Sequence, residues 1–289
     1  MTINSSSNAV GFDQTSKGWG LAAETYGEIM KQTNFTRMFA IDCLDLTIPV
    51  DAVKSDLLIL DIASGSGALS IPAAERVQKH NGRVIATDFA PEMIDFQNRE
   101  IESLPSAIPI ETKIMDGQNL EFPDQTFDFC YSVFGLIFFP NQKKGFTEIL
   151  RVLKPGGKVG IASWSETTFL SRLIVATMKK IYGDIGMEPP SKPYAMVSLA
   201  DPVSFENCLR DCGFKNIEIT TTVHTLRTND VPEFARFYKN NPVIEALKLQ
   251  LPEELRLKFE PTYQEIINES FKSGVVEIEG IAHIAVAQK

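Results

Sequence analysis

Between Leu57 and Ala162 the chain alternates short apolar runs with stretches of helical periodicity, and this rhythm restricts its possible folds more than any other feature. Leu57-Leu58-Ile59-Leu60 is a continuous apolar run of the kind that a parallel sheet buries on both faces. A glycine-rich loop follows it, and the spacing then predicts a helix over residues 69–77, a strand over 83–87 and a helix opened by Pro91, where the first helical position tolerates proline. Further strands are expected over residues 110–115, 127–133 and 158–162, with a helix over 142–153 halted by Lys154-Pro155-Gly156-Gly157. Strands alternating with helices at this spacing call for βαβ units with right-handed crossovers. The expected fold class is therefore α/β, a doubly wound sheet whose ligands lie at the carboxyl ends of its strands.

Outside that core the pattern changes. Residues 21–46 read as helical, ahead of the first strand, and 165–200 carry helix-like apolar spacing at Leu170, Leu173, Ile174 and Met178 before a turn-rich stretch over 183–193. Asp201-Pro202 supplies an N-cap and a first-turn proline for a helix ending at Gly213, ahead of a strand over 216–225. A helical insertion over 232–272 and a last strand over 280–287 complete the chain. The expected organisation is one domain: an N-terminal helical cap (1–50), a ligand-binding core (51–164), a lid insertion (165–200) and C-terminal strands with their helical insertion (201–289).

Composition excludes several classes. With 44% hydrophobic and 22% charged residues the chain is that of an ordinary globular protein, and no apolar run approaches the roughly 20 residues of a spanning helix. A net charge of −9 opposes the basic surface that polyphosphate binding needs, so nucleic acid is not expected as a partner. The four scattered cysteines suit a reducing compartment, and the polar residues 2–8 lack the pattern of a secretory signal, so a cytoplasmic location is expected. Cys208 and Cys212 do not complete a metal site with any nearby histidine. A monomer or homodimer is expected.

The loop Asp61-Ile62-Ala63-Ser64-Gly65-Ser66-Gly67 joins a strand to a helix, where glycines let the backbone approach a ligand closely. A dinucleotide fingerprint needs a third glycine, but Gly65-Ser66-Gly67-Ala68-Leu69-Ser70 ends in serine. Asp61 ends the strand, and a carboxylate there repels a pyrophosphate while suiting S-adenosylmethionine (SAM), which brings an ammonium and a sulfonium and no phosphate. Asp88 ends the second strand, where an acid can accept hydrogen bonds from both ribose hydroxyls; alone, it would serve as well as a helix cap. Asp116-Gly117-Gln118 ends the third, where an acid can accept from an adenine amino group and glycine admits a flat base, a β-turn being the other reading.

On these landmarks, together with Phe122-Pro123-Asp124-Gln125-Thr126-Phe127-Asp128 and Arg151-Val152-Leu153-Lys154-Pro155-Gly156-Gly157, the chain resembles the class I SAM-dependent methyltransferases. It is most similar to the small-molecule group that includes the ubiquinone/menaquinone-biosynthesis C-methyltransferases. The resemblance implies a Rossmann-like seven-stranded sheet, mostly parallel with an antiparallel last strand, and SAM as cofactor with S-adenosylhomocysteine as product. It also implies that Asp61 and the backbone of Ala63, Ser64, Gly65 and Gly67 hold the methionine part, Asp88 and Phe89 the ribose, and Asp116, Gly117 and Gln118 the adenine. Met93 is implied to pack on the base, Tyr26 to close over the cofactor, and Ser132 to flank it. Where the fuller family pattern has its first loop glycine, this chain has Ala63.

Methyl transfer is a direct displacement that rests on alignment and desolvation, with a base only where the acceptor must lose a proton, so no catalytic residue is assigned. After the fourth strand the chain lacks the acid-proline-proline-aromatic sequence of nucleic-acid amino-methylating enzymes, and Ser132 offers no carboxylate for a metal, so none is expected. Instead, Phe134 and Phe138 stand there, and with Trp19, Trp164 and Tyr194 they are candidates for an apolar wall around a small-molecule methyl acceptor, although such aromatics more often build a core. His224 is the candidate general base. The expected activity is methylation of a small, apolar or aromatic metabolite, at oxygen, nitrogen or carbon; the alternative is a SAM-binding protein without methyl transfer, a regulatory subunit or a lyase- or cyclase-type catalyst.

Overall fold

In the computed structural model the described residues are 11–189, 194–239 and 241–289, with the backbone alone for 233 and 236–238. Five of the seven strands follow from the apolar runs: β1 (Leu58–Ile62), β2 (Arg83–Asp88), β3 (Ile110–Ile114), β4 (Phe127–Val133) and β5 (Leu153–Trp164). They are linked by α3 (Ser70–Val77), α4 (Pro91–Glu102) and α5 (Gln142–Val152), preceded by α1 (Ser16–Thr33) and α2 (Phe35–Thr47). After β5 come α6 (Phe169–Gly183), α7 (Pro202–Asp211), β6 (Lys215–Thr228), α8 (Val231–Lys239), α9 (Pro242–Gln250), α10 (Glu253–Ser270) and β7 (Val276–Gln288).

The seven strands form one sheet in the order β3-β2-β1-β4-β5-β7-β6, parallel from β3 to β5, with β7 antiparallel to both of its neighbours. The order reverses between β1 and β4, and in doubly wound sheets the crevice at such a switch point is where ligands sit. The central strands are buried on both faces, with Ile59, Leu60, Ile62, Val84, Cys130 and Tyr131 sealed from solvent.

The insertion expected over 232–272 is helical, and three other expectations are corrected. The helix expected over 21–46 is two helices, because Asn34 takes a left-handed conformation (φ 53°) in which its amide still bonds Met30 O at 2.9 Å, a helix stop that asparagine tolerates. Lys154-Pro155-Gly156-Gly157 does not separate helix from strand but lies inside β5, which begins at Leu153 opposite Phe127 and absorbs the extra residues as a register shift before Lys158. The insertion over 232–272 is three helices, α8 to α10. β6 and β7 run several residues beyond their expected ends, because each pairs with the other along its full length. Residues 190–193 of the turn-rich stretch lie outside the described residues.

Two of the sequence landmarks are structural. Asp128 accepts from the Leu58 amide at 2.9 Å and from Lys154 Nζ at 2.8 Å, tying β1, β4 and β5 together. Arg151 donates to Leu120 O and Phe122 O, each at 2.7 Å, and to Glu148 and Asp124, which pins the loop before β4 onto α5. Among the described residues no helix is long and apolar enough to cross a membrane.

Candidate functional site

The loop after β1 is held by its neighbours in a conformation that few side chains accept. Ala63 (φ 56°), Gly65 (φ 53°) and Gly67 (φ 87°) are all left-handed, and the Ser64 amide is anchored on Thr87 O at 2.9 Å. A side chain at Gly65 would meet no protein atom within 4 Å, so the space beside this backbone is open. The Gly65 amide donates to Asp88 Oδ2 at 3.0 Å and the Ala90 amide to Oδ1 at 2.9 Å, which turns the end of β2 and the loop into one unit. Burial pushes the Asp88 carboxyl up to about 6, against the lowering effect of those amides. Asp61 lies beneath the loop, 1% exposed, accepting from Ser70 Oγ at 2.5 Å; burial first, then the charge of Asp88, raises it to about 7.

Ala63, Ser64, Gly65 and Asp88 border a cleft of about 780 Å³ at the carboxyl ends of β1 to β4. They line one side, with Phe89 and Met93 beside them. Asp116, Gly117 and Gln118 line another; Gln118 donates its amide to Asp116 Oδ1 at 2.9 Å and accepts from the Asn141 amide at 2.9 Å. A Cβ on Gly117 would stand 2.5 Å from Phe139 Cζ and 2.6 Å from Ile62 Cγ2, so this wall is closed tightly by a residue without a side chain. From α1, Trp19 and Tyr26 cover the cleft, edge-to-face at 5.6 Å, with Trp19 Nε1 donating to Asp13 O at 2.7 Å. The Tyr26 hydroxyl bonds Thr36, and burial, then the charge of Asp88, pushes it up to about 12.

A second chamber of about 650 Å³ adjoins the cleft. Trp19, Tyr26, Thr36, Phe134 and Phe138 line both spaces and so form a common wall. Phe134, left-handed at φ 60°, stacks on Trp164 at 3.7 Å and 3°, and Phe35 lies 5.8 Å beyond in the same orientation. Lysine, arginine and histidine are absent from both linings among the described residues, while two carboxylates, Asp88 and Asp116, face the cleft. That donor and acceptor set fits SAM, whose sulfonium and ammonium favour anionic surroundings, and does not fit a pyrophosphate.

Comparison with known proteins agrees. Residues 59–157 match the methyltransferase domain family. A protein of Mycobacterium tuberculosis of uncharacterized function is 30% identical over 197 residues, 65% of this chain and 65% of the relative, so the chain spans just under two thirds of that relative's length. The demethylmenaquinone methyltransferase of Lactobacillus johnsonii is 32% identical over 176 residues, covering 58% of this chain and 72% of that protein. The chain belongs to the class I SAM-dependent methyltransferases. A crystal structure of a putative methyltransferase from Bacillus halodurans superposes with a TM-score of 0.53 at 19% identity, covering 86% of this chain and 98% of that one, a likeness of fold.

Not every residue singled out from the sequence reaches the cavities. Asp61 and Gly67 lie behind the loop, and Ser132 is fully buried with its Oγ accepting from the Leu136 amide at 3.0 Å, which shapes the turn after β4. Trp164 lines the second chamber alone, and Tyr194 lines neither space, its hydroxyl bonding Ser171. His224 also lines neither; its Nε2 pairs with Asp42 Oδ2 at 2.8 Å and its ring stands edge-on to Phe39 at 4.7 Å, behind Phe134 and Trp164. Met115, Phe35, Thr36, Asn241 and Glu279 line the spaces without having been singled out. Among the described residues no cluster of three or more His, Cys, Asp or Glu could hold a metal ion.

Proposed function

We propose that the protein moves the methyl group of SAM to a small, largely apolar, ring-bearing metabolite bound in the second chamber. The observation that carries this reading is the common wall: one space suited to SAM opens beside an aromatic space across Trp19, Tyr26, Thr36, Phe134 and Phe138. When bound, SAM supplies an electrophilic methyl carbon whose bond to sulfur breaks as the acceptor's electron pair attacks.

The chain's own part is to bind, orient and exclude water. The backbone of 63–65 and the buried negative charge of Asp61 would hold the methionine end, Asp88 the ribose hydroxyls, and Asp116 with Gly117 and Gln118 the adenine, with Met93 and Phe89 packing on it. Tyr26, at about 12, stays protonated at neutral pH and acts as a hydrogen-bond donor rather than a base. The aromatic walls keep the displacement dry and aligned. Segment 165–200 serves as a lid in this reading, supported by Thr168, Phe169, Leu170 and Met196 lining the chamber. His224, held by Asp42 and Phe39, would brace the wall from behind.

The test is a screen of metabolite extracts with methyl-labelled SAM, read by mass spectrometry, beside calorimetry with S-adenosylhomocysteine. Label on a ring-bearing metabolite supports the reading. Tight S-adenosylhomocysteine binding with no labelled product from any extract would favour a SAM-binding protein without transfer, and no binding at all would overturn the cofactor site.

A further inference from the structure

The polar groups of the second chamber are few and unequal in kind. Glu279, on β7, borders the chamber and makes no ion pair or side-chain hydrogen bond with any described residue, whereas its strand neighbour Glu277 is paired with Arg227 at 2.8 Å. Asn241, 8% exposed, spends its Oδ1 on the Val243 amide at 2.9 Å, which leaves Nδ2 as its remaining donor. Neither residue lines the cofactor cleft, and Glu279 is exposed, so this pair marks the outer end of the chamber. The inner end is the Tyr26–Thr36 hydroxyl pair of the common wall. Between them lie Phe35 and Trp164, stacked on one another, with Val243 and Ile278; these rings can meet an apolar ring edge-to-face.

Resting on the transferase reading above, we propose that the acceptor is an arylalkylamine, an aromatic ring carrying its amine on an alkyl carbon. Its ring lies against Trp164 and Phe35, and its ammonium group, at the end remote from the methylated atom, is held by Glu279 with Asn241 beside it. A carboxylate or phosphate in that place would meet Glu279 with no described cation to offset it. The chain's net charge of −9 also favours the approach of a cationic ligand.

Three probes of one shape test this: 4-propylbenzylamine, 4-propylbenzyl alcohol and 4-propylbenzoate, titrated by calorimetry into the full chain with and without saturating S-adenosylhomocysteine. The only two tryptophans, Trp19 and Trp164, both line the chamber, so a change in tryptophan fluorescence on titration with the cofactor cleft already filled by S-adenosylhomocysteine locates the binding there. The amine should bind about fivefold tighter than the alcohol, as expected for one solvent-accessible charge pair, and the benzoate most weakly. Glu279→Gln, a substitution at an exposed position, should bring the amine to the alcohol's affinity and leave the alcohol unchanged. Benzoate binding as tightly as the amine, an amine affinity indifferent to Glu279→Gln, or binding without a fluorescence change would each overturn the proposal. S-adenosylhomocysteine failing to bind would instead count against the transferase reading, and the probe ranking without it would still decide the chamber's preference.

Discussion

If Asp88 holds the ribose, cofactor affinity must follow its ionisation. The carboxylate accepts from the amides of Gly65 and Ala90, and burial places it at about 6 in the free protein. Hydroxyl donors strengthen the ionised form, so binding draws on the ionised fraction and protonation competes with it. That fraction is nearly complete at pH 8 and about one eleventh at pH 5, so Asp88 by itself should raise the Kd for S-adenosylhomocysteine about tenfold as pH falls between them, with most of its share below 6. Asp88→Asn cannot accept from both Gly65 and the ribose as a charge, and losing one charge-assisted hydrogen bond of about 1.5–3 kcal/mol should weaken binding at pH 8 by roughly 10- to 100-fold. The variant should lose the part of this dependence that falls near 6 and keep only what Asp61 contributes near 7, so that wild type and variant converge toward pH 5. Calorimetry at closely spaced pH values measures both curves. A wild-type Kd that does not change with pH, or a variant that binds as wild type does at pH 8, would refute the assignment of Asp88.

Asp61, raised to about 7, binds a proton more tightly in the folded than in the unfolded chain, so its ionisation lowers the stability of the ligand-free protein as pH rises from about 4 to about 7. Asp61→Asn should therefore raise Tm at pH 8, where the cost is at most about 4 kcal/mol, and much less at pH 5; equal shifts at both values would count against it. Ala63→Gly, relieving a left-handed alanine, should stabilise by about 0.5–1 kcal/mol in denaturant unfolding and keep cofactor affinity, a loss of stability being the contrary result. Arg151→Ala strips donors from two carbonyls and two carboxylates and should cost about 2 kcal/mol of stability while leaving S-adenosylhomocysteine affinity within twofold; a large drop in affinity would mean that this landmark is not purely structural.

The strands β1 to β5 were legible because each is short, apolar and buried on both faces, which leaves a continuous run in the chain. The cofactor side of the site was legible for the same reason: Gly65, Asp88 and Asp116 sit where successive strands end, so strand ends alone bring them together. The break at Asn34 carried a signal, an asparagine able to cap a helix in the left-handed region, that helical periodicity on either side concealed. Thr36, Asn241 and Glu279 carried none. They come from α2, the start of α9 and β7, and only the packing of those distant segments over the cleft makes neighbours of them. Asp61 and Ser132 show the converse: motif positions buried behind the surface that they shape.

The common wall has a thermodynamic corollary. Because Trp19, Tyr26, Thr36, Phe134 and Phe138 face both spaces, whichever ligand arrives first fixes rotamers that the second then no longer has to order. Linkage makes such a benefit mutual: whatever factor the cofactor adds to acceptor affinity, the acceptor returns to cofactor affinity in equal measure. For the proposed acceptor, a methylated ring and S-adenosylhomocysteine would raise each other's affinity, and each would bind more weakly once the other had left.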